Sequence, residues 1–372
     1  IIKVITGIRR CGKSTLFKLY QNYLLENGVK SEQIISINLD NIDNIDLLNP
    51  NVLYDHIKSK LTTKMNYVFL DEIQNVDKFQ FVLNSLNEKD NIDLYVTGSN
   101  AFLLSNELAT LISGRYVQIK MYTLSFKEYL SFYDSNISRE QKFANYLTYG
   151  SFPYILNCKD NEEQILDYLD SLYNAIIVKD IMQRGKITDI ERLKKVLLFL
   201  SANIGSLVSI NNIKNQMIND NFKISVQTIE NYISTLSDSY IIHKVPRYNI
   251  KSKELLKTND KYYIADMGFR YYLLREKGKD RKHTLENIVY LELLKRGYNV
   301  YVGKINELEV DFIAENFNKK MYIQVTETLM GEDTRKRELR SLEGIRDNYE
   351  KIILSMDNVF LGDIGGGIQH KN

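Results

Sequence analysis

Cysteine and histidine are scarce in this 372-residue chain, which has two cysteines, Cys11 and Cys158, and four histidines. Two cysteines cannot build a disulfide framework for such a length, so a reducing cytoplasm is the expected setting. With no cysteine cluster and no histidines at ligand spacing, a zinc site is not expected. No run approaches the roughly 18 consecutive apolar residues of a membrane span. The start, Ile1-Ile2-Lys3-Val4-Ile5, lacks the charged lead and cleavage site of a signal peptide, so no membrane partner is expected. An excess of one charge is missing too. Lys plus Arg (49) against Asp plus Glu (47) leaves +2, which excludes attraction to nucleic acid by bulk charge and leaves only a local patch. There is no internal repeat and no low-complexity segment. Ile1 lies inside an apolar run with no initiator Met, and the chain ends in Gly365-Gly366-Gly367-Ile368-Gln369-His370-Lys371-Asn372, so both ends are expected to be cuts.

What is present is the profile of a folded chain, 44% hydrophobic and 26% charged, long enough for two to four units at about 100–200 residues each. Through residue 130, short β-branched runs (1–6, 34–39, 67–70, 94–97, 116–121) alternate with helix-length segments such as 14–26 and 50–61. That alternation predicts a parallel sheet covered on both faces. Residues 131–200 take a helical period. Residues 201–268 read as two short helices and a hairpin, its strands 240–248 and 261–264. Residues 269–372 read as helix, three strands, helix, strand.

Gly7-Ile8-Arg9-Arg10-Cys11-Gly12-Lys13-Ser14 fits G-x-x-x-x-G-K-[ST] at every specified position and lies between a strand and a helix. Its glycines let the backbone wrap a phosphate, Lys13 reaches the β- and γ-phosphates of ATP, Ser14 offers a hydroxyl to Mg²⁺, and Thr15 adds N–H contacts. After the apolar run Tyr67-Val68-Phe69-Leu70, Asp71 is expected to hold Mg²⁺ and Glu72 to activate water as the general base. Thr97-Gly98-Ser99-Asn100 ends the next strand; its polar groups are read either as sensing the γ-phosphate, Asn100 among the nucleotide contacts, or as an ordinary turn. Arg115 is a candidate finger acting across a homo-oligomer interface, or a solvated loop residue.

These motifs, with Phe69-Leu70-Asp71-Glu72-Ile73-Gln74, Leu124-Ser125-Phe126-Lys127-Glu128-Tyr129, Tyr149-Gly150-Ser151-Phe152-Pro153 and Lys261-Tyr262-Tyr263-Ile264-Ala265-Asp266-Met267-Gly268, resemble bacterial and archaeal AAA+-like ATPases whose C-terminal half is a domain of unknown function. The resemblance runs the whole chain and implies a P-loop ATPase core (1–130) acting as a nucleotide switch of AAA+ or STAND type, followed by a helical lid or linker (131–200).

Residues 186–261 hold 12 Lys plus Arg against 7 Asp plus Glu, a net of +5. Helices over 209–218 and 225–236 with a basic hairpin have the order of a winged helix (201–268), whose second helix would enter the major groove of double-stranded DNA. Gln227, Thr228 and Asn231 are the candidate base readers, and Lys244 and Arg247 the candidate phosphate contacts, with Lys251 and Lys253 beside them. The alternative is a lid touching no DNA.

Residues 269–372 have the order of a restriction-endonuclease-like core, α/β and PD-(D/E)xK-like, which sets an acid on the first helix, an Asp on the second strand and acid-x-Lys on the third. Glu286 and Asp311 match the first two. In Tyr322-Ile323-Gln324-Val325-Thr326, Gln324 replaces the acid and Thr326 the lysine, with Lys336 and Arg340 the nearest cations downstream. The expectation is a degenerate nuclease fold. The full reading is an Mg·ATP-hydrolysing switch coupled to DNA; the alternatives are an ATP-regulated metal-dependent nuclease and a switch that binds a protein.

Overall fold

The structure, a computed structural model, describes residues 1–99, 114–133, 136–182, 187, 189–256, 259–276 and 280–372. These divide into two compact units, one of residues 1–123 with 238–240, the other of 124–237 with 241–372.

In the first unit β1 (Ile2–Thr6), α1 (Lys13–Glu26), β2 (Ile34–Asn38), α2 (Pro50–Lys60), β3 (Asn66–Asp71), α3 (Phe79–Asn87), β4 (Ile92–Gly98) and β5 (Tyr116–Lys120) follow in turn. The sheet order is β2-β3-β4-β1-β5, all parallel. Side chains alternate across the pleat and are apolar on both faces, as a doubly covered parallel sheet requires. Val68 and Leu70 of β3, with Ile2 and Val4 of β1, pack with Leu53 and Ile57 of α2 and Leu83 and Leu86 of α3. Phe69 and Ile5 face the other way, onto Phe17 and Leu24 of α1. Asn49 caps α2 by accepting the N–H groups of Asn51 and Val52, and Pro50 suits the first helical turn, where its missing N–H is not needed.

The second unit opens with α4 (Phe126–Phe132), α5 (Arg139–Tyr149), α6 (Glu162–Ala175), a π-helical stretch (Ile176–Met182) and α7 (Ile190–Ala202). Next come β6 (Leu207–Val208), α8 (Ile210–Asn219), α9 (Val226–Asp238), β7 (Ile242–Val245), β8 (Arg247–Asn249), β9 (Glu254–Leu255) and β10 (Asp260–Ile264). Then follow α10 (Met267–Leu274), α11 (Arg281–Lys295), β11 (Asn299–Ile305), β12 (Leu308–Glu315), β13 (Lys320–Val325), α12 (Glu332–Glu343), β14 (Glu350–Leu354), β15 (Gly362–Asp363) and β16 (Ile368–Lys371). They build an antiparallel sheet, β6-β10-β7, and an eight-stranded sheet, β15-β16-β14-β13-β12-β11-β8-β9.

The single strand expected over 240–248 is split. Pro246 cannot donate to a ladder, and the chain leaves the small sheet there: β8 runs parallel to β11, and β9 pairs with β8 at the edge of the large sheet. The glycine-rich end adds a strand beyond the expected order, since Ile368–Lys371 pairs in parallel with β14.

Two segments noted as shared motifs meet. Asp266 caps α10 through the Gly268 N–H at 2.8 Å and accepts from Ser151 N at 2.8 Å and Ser151 Oγ at 2.9 Å. Gly150 has φ +81°, and a Cβ there would fall 1.8 Å from Asp266 Oδ1, so the approach requires glycine.

Candidate functional site: a phosphate loop, two carboxylates and a buried ionic cluster

Because the first sheet is parallel, the residues that follow β1, β3 and β4 gather at its carboxyl edge, where such sheets bind ligands. The loop after β1 has positive φ at Gly7 (+152°), Arg10 (+66°) and Gly12 (+110°), turning successive N–H groups into a concavity suited to an anion. Leu16 N donates to Gly12 O at 2.9 Å, so the N–H groups of residues 13–15 precede the first bond of α1 and stay available. Gly7 is packed tightly, its missing Cβ 2.2 Å from Met121 O. Ile8 and Cys11 are buried, Arg9 is half-buried, and Arg10, Ser14 and Thr15 are exposed. Burial pushes the Cys11 thiol up despite nearby Lys13, which suits a packing role. The Lys13 ammonium donates to Gly7 O at 2.9 Å and Ile8 O at 3.1 Å, lying across the mouth of its own loop.

Strand β4 runs between β1 and β3, with Ile5 beside Thr97 and Leu70 beside Val96. Thr97 therefore sits between the loop strand and the strand carrying the carboxylates. Its hydroxyl donates to buried Asp71, and its oxygen accepts the Glu72 N–H at 2.9 Å. Glu72 has φ +56°, an uncommon conformation for a non-glycine residue that turns the chain sharply off the strand end. Gln74 donates to its carboxylate. The residues present suit Mg²⁺, with a hydroxyl at Ser14 and a carboxylate at Asp71. Arg115 is exposed, and its guanidinium donates to Asn84 Oδ1 at 2.7 Å. Asn100 lies outside the described residues.

A family model described as an AAA domain matches residues 1–130, and one described as a domain of unknown function (DUF8612) matches 140–280. An uncharacterised protein of Haemophilus influenzae is 38% identical over 361 residues, covering 95% of this chain and 88% of its own length. One from Methanocaldococcus jannaschii is 31% identical over 385 residues, covering 97% and 81%. The chain belongs to one family with these two proteins. Its first 130 residues are an AAA-type ATPase domain. In fold it is similar to the Walker-type ATPase PABY2304 of Pyrococcus abyssi, with TM-score 0.51 and 13% identity, covering 73% of this chain and 91% of that one.

Beyond the AAA domain, the expected helix boundaries hold. Ser209 accepts the Asn212 N–H and Ser225 that of Thr228, capping α8 and α9. Gln227 and Asn231 are exposed on α9 and bond to each other at 3.3 Å; Thr228 is half-buried. Lys244 pairs with Asp260 across the small sheet at 3.0 Å. Arg247 belongs to β8 and is half-buried, its Nε without a partner, while Lys251 and Lys253 are exposed at the β8–β9 turn.

Glu286 on α11 and Asp311 on β12 are brought together, both buried, and the cation between them is one the sequence reading missed. Lys261 of β10 places Nζ 2.8 Å from Glu286 Oε1, 2.7 Å from Glu309 Oε1 and 3.8 Å from Asp311 Oδ1. Tyr263 OH also donates to Glu286, and the Val325 N–H donates to Asp311 Oδ2 at 2.8 Å. Burial first, and the charge of Asp311 second, push Glu286 up to about 7, although Lys261 pulls it down. Burial would lower Lys261, but Glu286, Asp311 and Glu309 outweigh it and hold the ammonium charged. Lys336 pairs with Glu332 and is exposed, as is Arg340. The signal for Lys261 was a lone cation in the apolar strand Lys261-Tyr262-Tyr263-Ile264.

Proposed function

We propose that the chain hydrolyses Mg·ATP at the edge of its AAA domain and uses the nucleotide state as a switch on duplex DNA, reached through residues 201–268. The observation that carries the hydrolysis reading is the Thr97 bridge, which holds Asp71 and Glu72 at the end of β3 while β4 spaces them from the phosphate loop. In this reading Lys13 leaves the Gly7 and Ile8 carbonyls for the β- and γ-phosphates, and Ser14 and Asp71 would hold Mg²⁺, whose charge would offset that of the phosphates. Glu72 takes the proton of the attacking water, and Arg115 leaves Asn84 to offset charge in the transition state.

The order α7, β6, α8, α9, β7, β10, with β10 between β6 and β7, supports a winged-helix reading of 201–268. Gln227, Thr228 and Asn231 on α9 would then meet base edges, and Lys251 and Lys253 would meet phosphates, with Lys244 and Arg247 at the base of the wing. The pairing of Lys244 with Asp260 and the seating of Arg247 in β8 favour a second reading in which this region contacts a protein.

The experiment is steady-state phosphate release by wild type and Glu72→Gln, with and without duplex DNA across a salt series. Turnover by wild type that DNA changes, and that loses the DNA effect steeply as salt rises, supports the DNA switch, because neutralised phosphates release counterions. Turnover indifferent to DNA assigns the switch to a protein partner.

A further inference from the structure

Three carboxylates converge on one buried ammonium, at the place where the restriction-endonuclease-like order expected from the sequence would hold a divalent cation. The layout needs an acid on the helix, an Asp on the second strand, a third ligand on the third strand, and a lysine beside the water. Glu286 and Asp311 fill the first two roles. The third does not fit a metal. Gln324 Oε1 accepts from Asp311 N at 3.2 Å and Ser341 Oγ at 3.4 Å, and its Nε2 donates to Glu338 Oε2 at 2.8 Å. Thr326 donates its hydroxyl to Thr328 O at 3.3 Å and offers no charge. Glu338 is engaged as well, by Lys282 at 3.2 Å and Arg337 at 3.0 Å.

The cation comes from elsewhere. Lys261 belongs to the small sheet, yet its side chain is 3% exposed and reaches Glu286, itself 1% exposed, Asp311 and Glu309. A divalent ion seated on Glu286 and Asp311 would stand against this ammonium, with little water to screen the repulsion. Taking Lys261 away would instead leave buried carboxylates uncompensated, which is costly unless another cation replaces it.

We propose that the Lys261 ammonium takes the place of the divalent cation, closing the carboxylate cluster as a metal-free ionic junction between the two sheets of the second unit, and that removing it opens a divalent-cation site on Glu286, Glu309 and Asp311. This stands on the cluster alone and does not depend on the ATPase reading.

The test is Mn²⁺ binding to the nucleotide-free full chain, read from loss of the free-ion electron paramagnetic resonance signal. Wild type and Asp311→Asn are expected to bind equally, since any Mn²⁺ at the phosphate loop is common to both. Lys261→Met, with a side chain of similar length and no charge, is expected to bind one further ion, which Lys261→Met/Asp311→Asn loses. The same ion should raise the melting temperature of Lys261→Met alone. Binding by wild type that Asp311→Asn abolishes would overturn the proposal, as would a folded Lys261→Met that gains no ion. If Lys261→Met does not fold, the comparison of wild type with Asp311→Asn decides: equal binding upholds the junction, and a loss overturns it.

Discussion

Thr97 donates its hydroxyl to the Asp71 carboxylate across the β3–β4 pair while accepting the backbone N–H of the next residue, Glu72. One side chain thus ties down the carboxylate of Asp71 and the backbone of Glu72. Thr97→Val keeps the shape but leaves the buried Asp71 without this donor and the Glu72 N–H without its acceptor, a cost of about 1–3 kcal/mol in urea unfolding. Phosphate release should fall by about tenfold or more, in line with a loss of about 1.4 kcal/mol or more in the barrier. Thr97→Ser should retain both stability and rate.

Glu72→Gln keeps size and hydrogen bonding but cannot take a proton. Single-turnover hydrolysis should drop about 10²- to 10⁴-fold, while equilibrium binding of ATP stays near wild type. A drop in binding with an unaltered rate would move Glu72 from base to structural support.

Gly7→Ala places a methyl 2.2 Å from the Met121 carbonyl at a backbone angle, φ +152°, that L side chains rarely adopt. The loop must shift to relieve it, and the N–H groups lose their aim. Loss of ATP binding, measured by calorimetry on protein that still melts cooperatively, is the expected result. Retention of wild-type affinity would show that the phosphates are held elsewhere.

The pH dependence of stability should carry the mark of Glu286. Lys261 and Tyr263 face it from β10, Glu309 and Asp311 from β12, and burial with Asp311 raises it from an ordinary value near 4.5 to about 7. The folded chain then keeps a proton that the unfolded chain has lost, so stability falls as pH rises through that window. Asp311 is also raised, chiefly by burial, and acts in the same sense. Urea midpoints between about pH 4.5 and 7 should decline for wild type and decline less steeply for Glu286→Gln. Equal slopes would remove Glu286 as the titrating group.

The parallel sheet and its loop were legible because their cues are local: strands 1–6 and 67–70 are short apolar runs bounded by helix-length segments, and Gly12-Lys13-Ser14 must start a helix. The same holds for the starts of the helices expected at 209 and 225, where Ser209 and Ser225 prove to be the caps. Lys261 was not legible, because Glu286, Glu309 and Asp311 lie 25 to 50 residues further on and only the packing of β10 on α11 and β12 brings them to it. Thr97 was placed at a strand end without its role, since which strand lies between β1 and β3 is a matter of sheet order and not of pattern. The break at Pro246 was visible as a proline in a strand-like run, but where the chain would go next was not.

That excursion has an outcome for how such a chain can be rearranged. Between Val245 and Asp260 the polypeptide leaves the small sheet, lends two strands to the large one, and returns carrying the lysine that pairs with Glu286 of α11 and Glu309 of β12. Exchange of the residues after 268 for those of a relative would bring in a β11 whose edge must be matched by a foreign β8 and three acids whose counter-ion sits on the other side of the junction. Recombination at that point would part the acids from their counter-ion and β11 from the edge strand it packs with, so an exchange that keeps both sheets together is the one expected to fold.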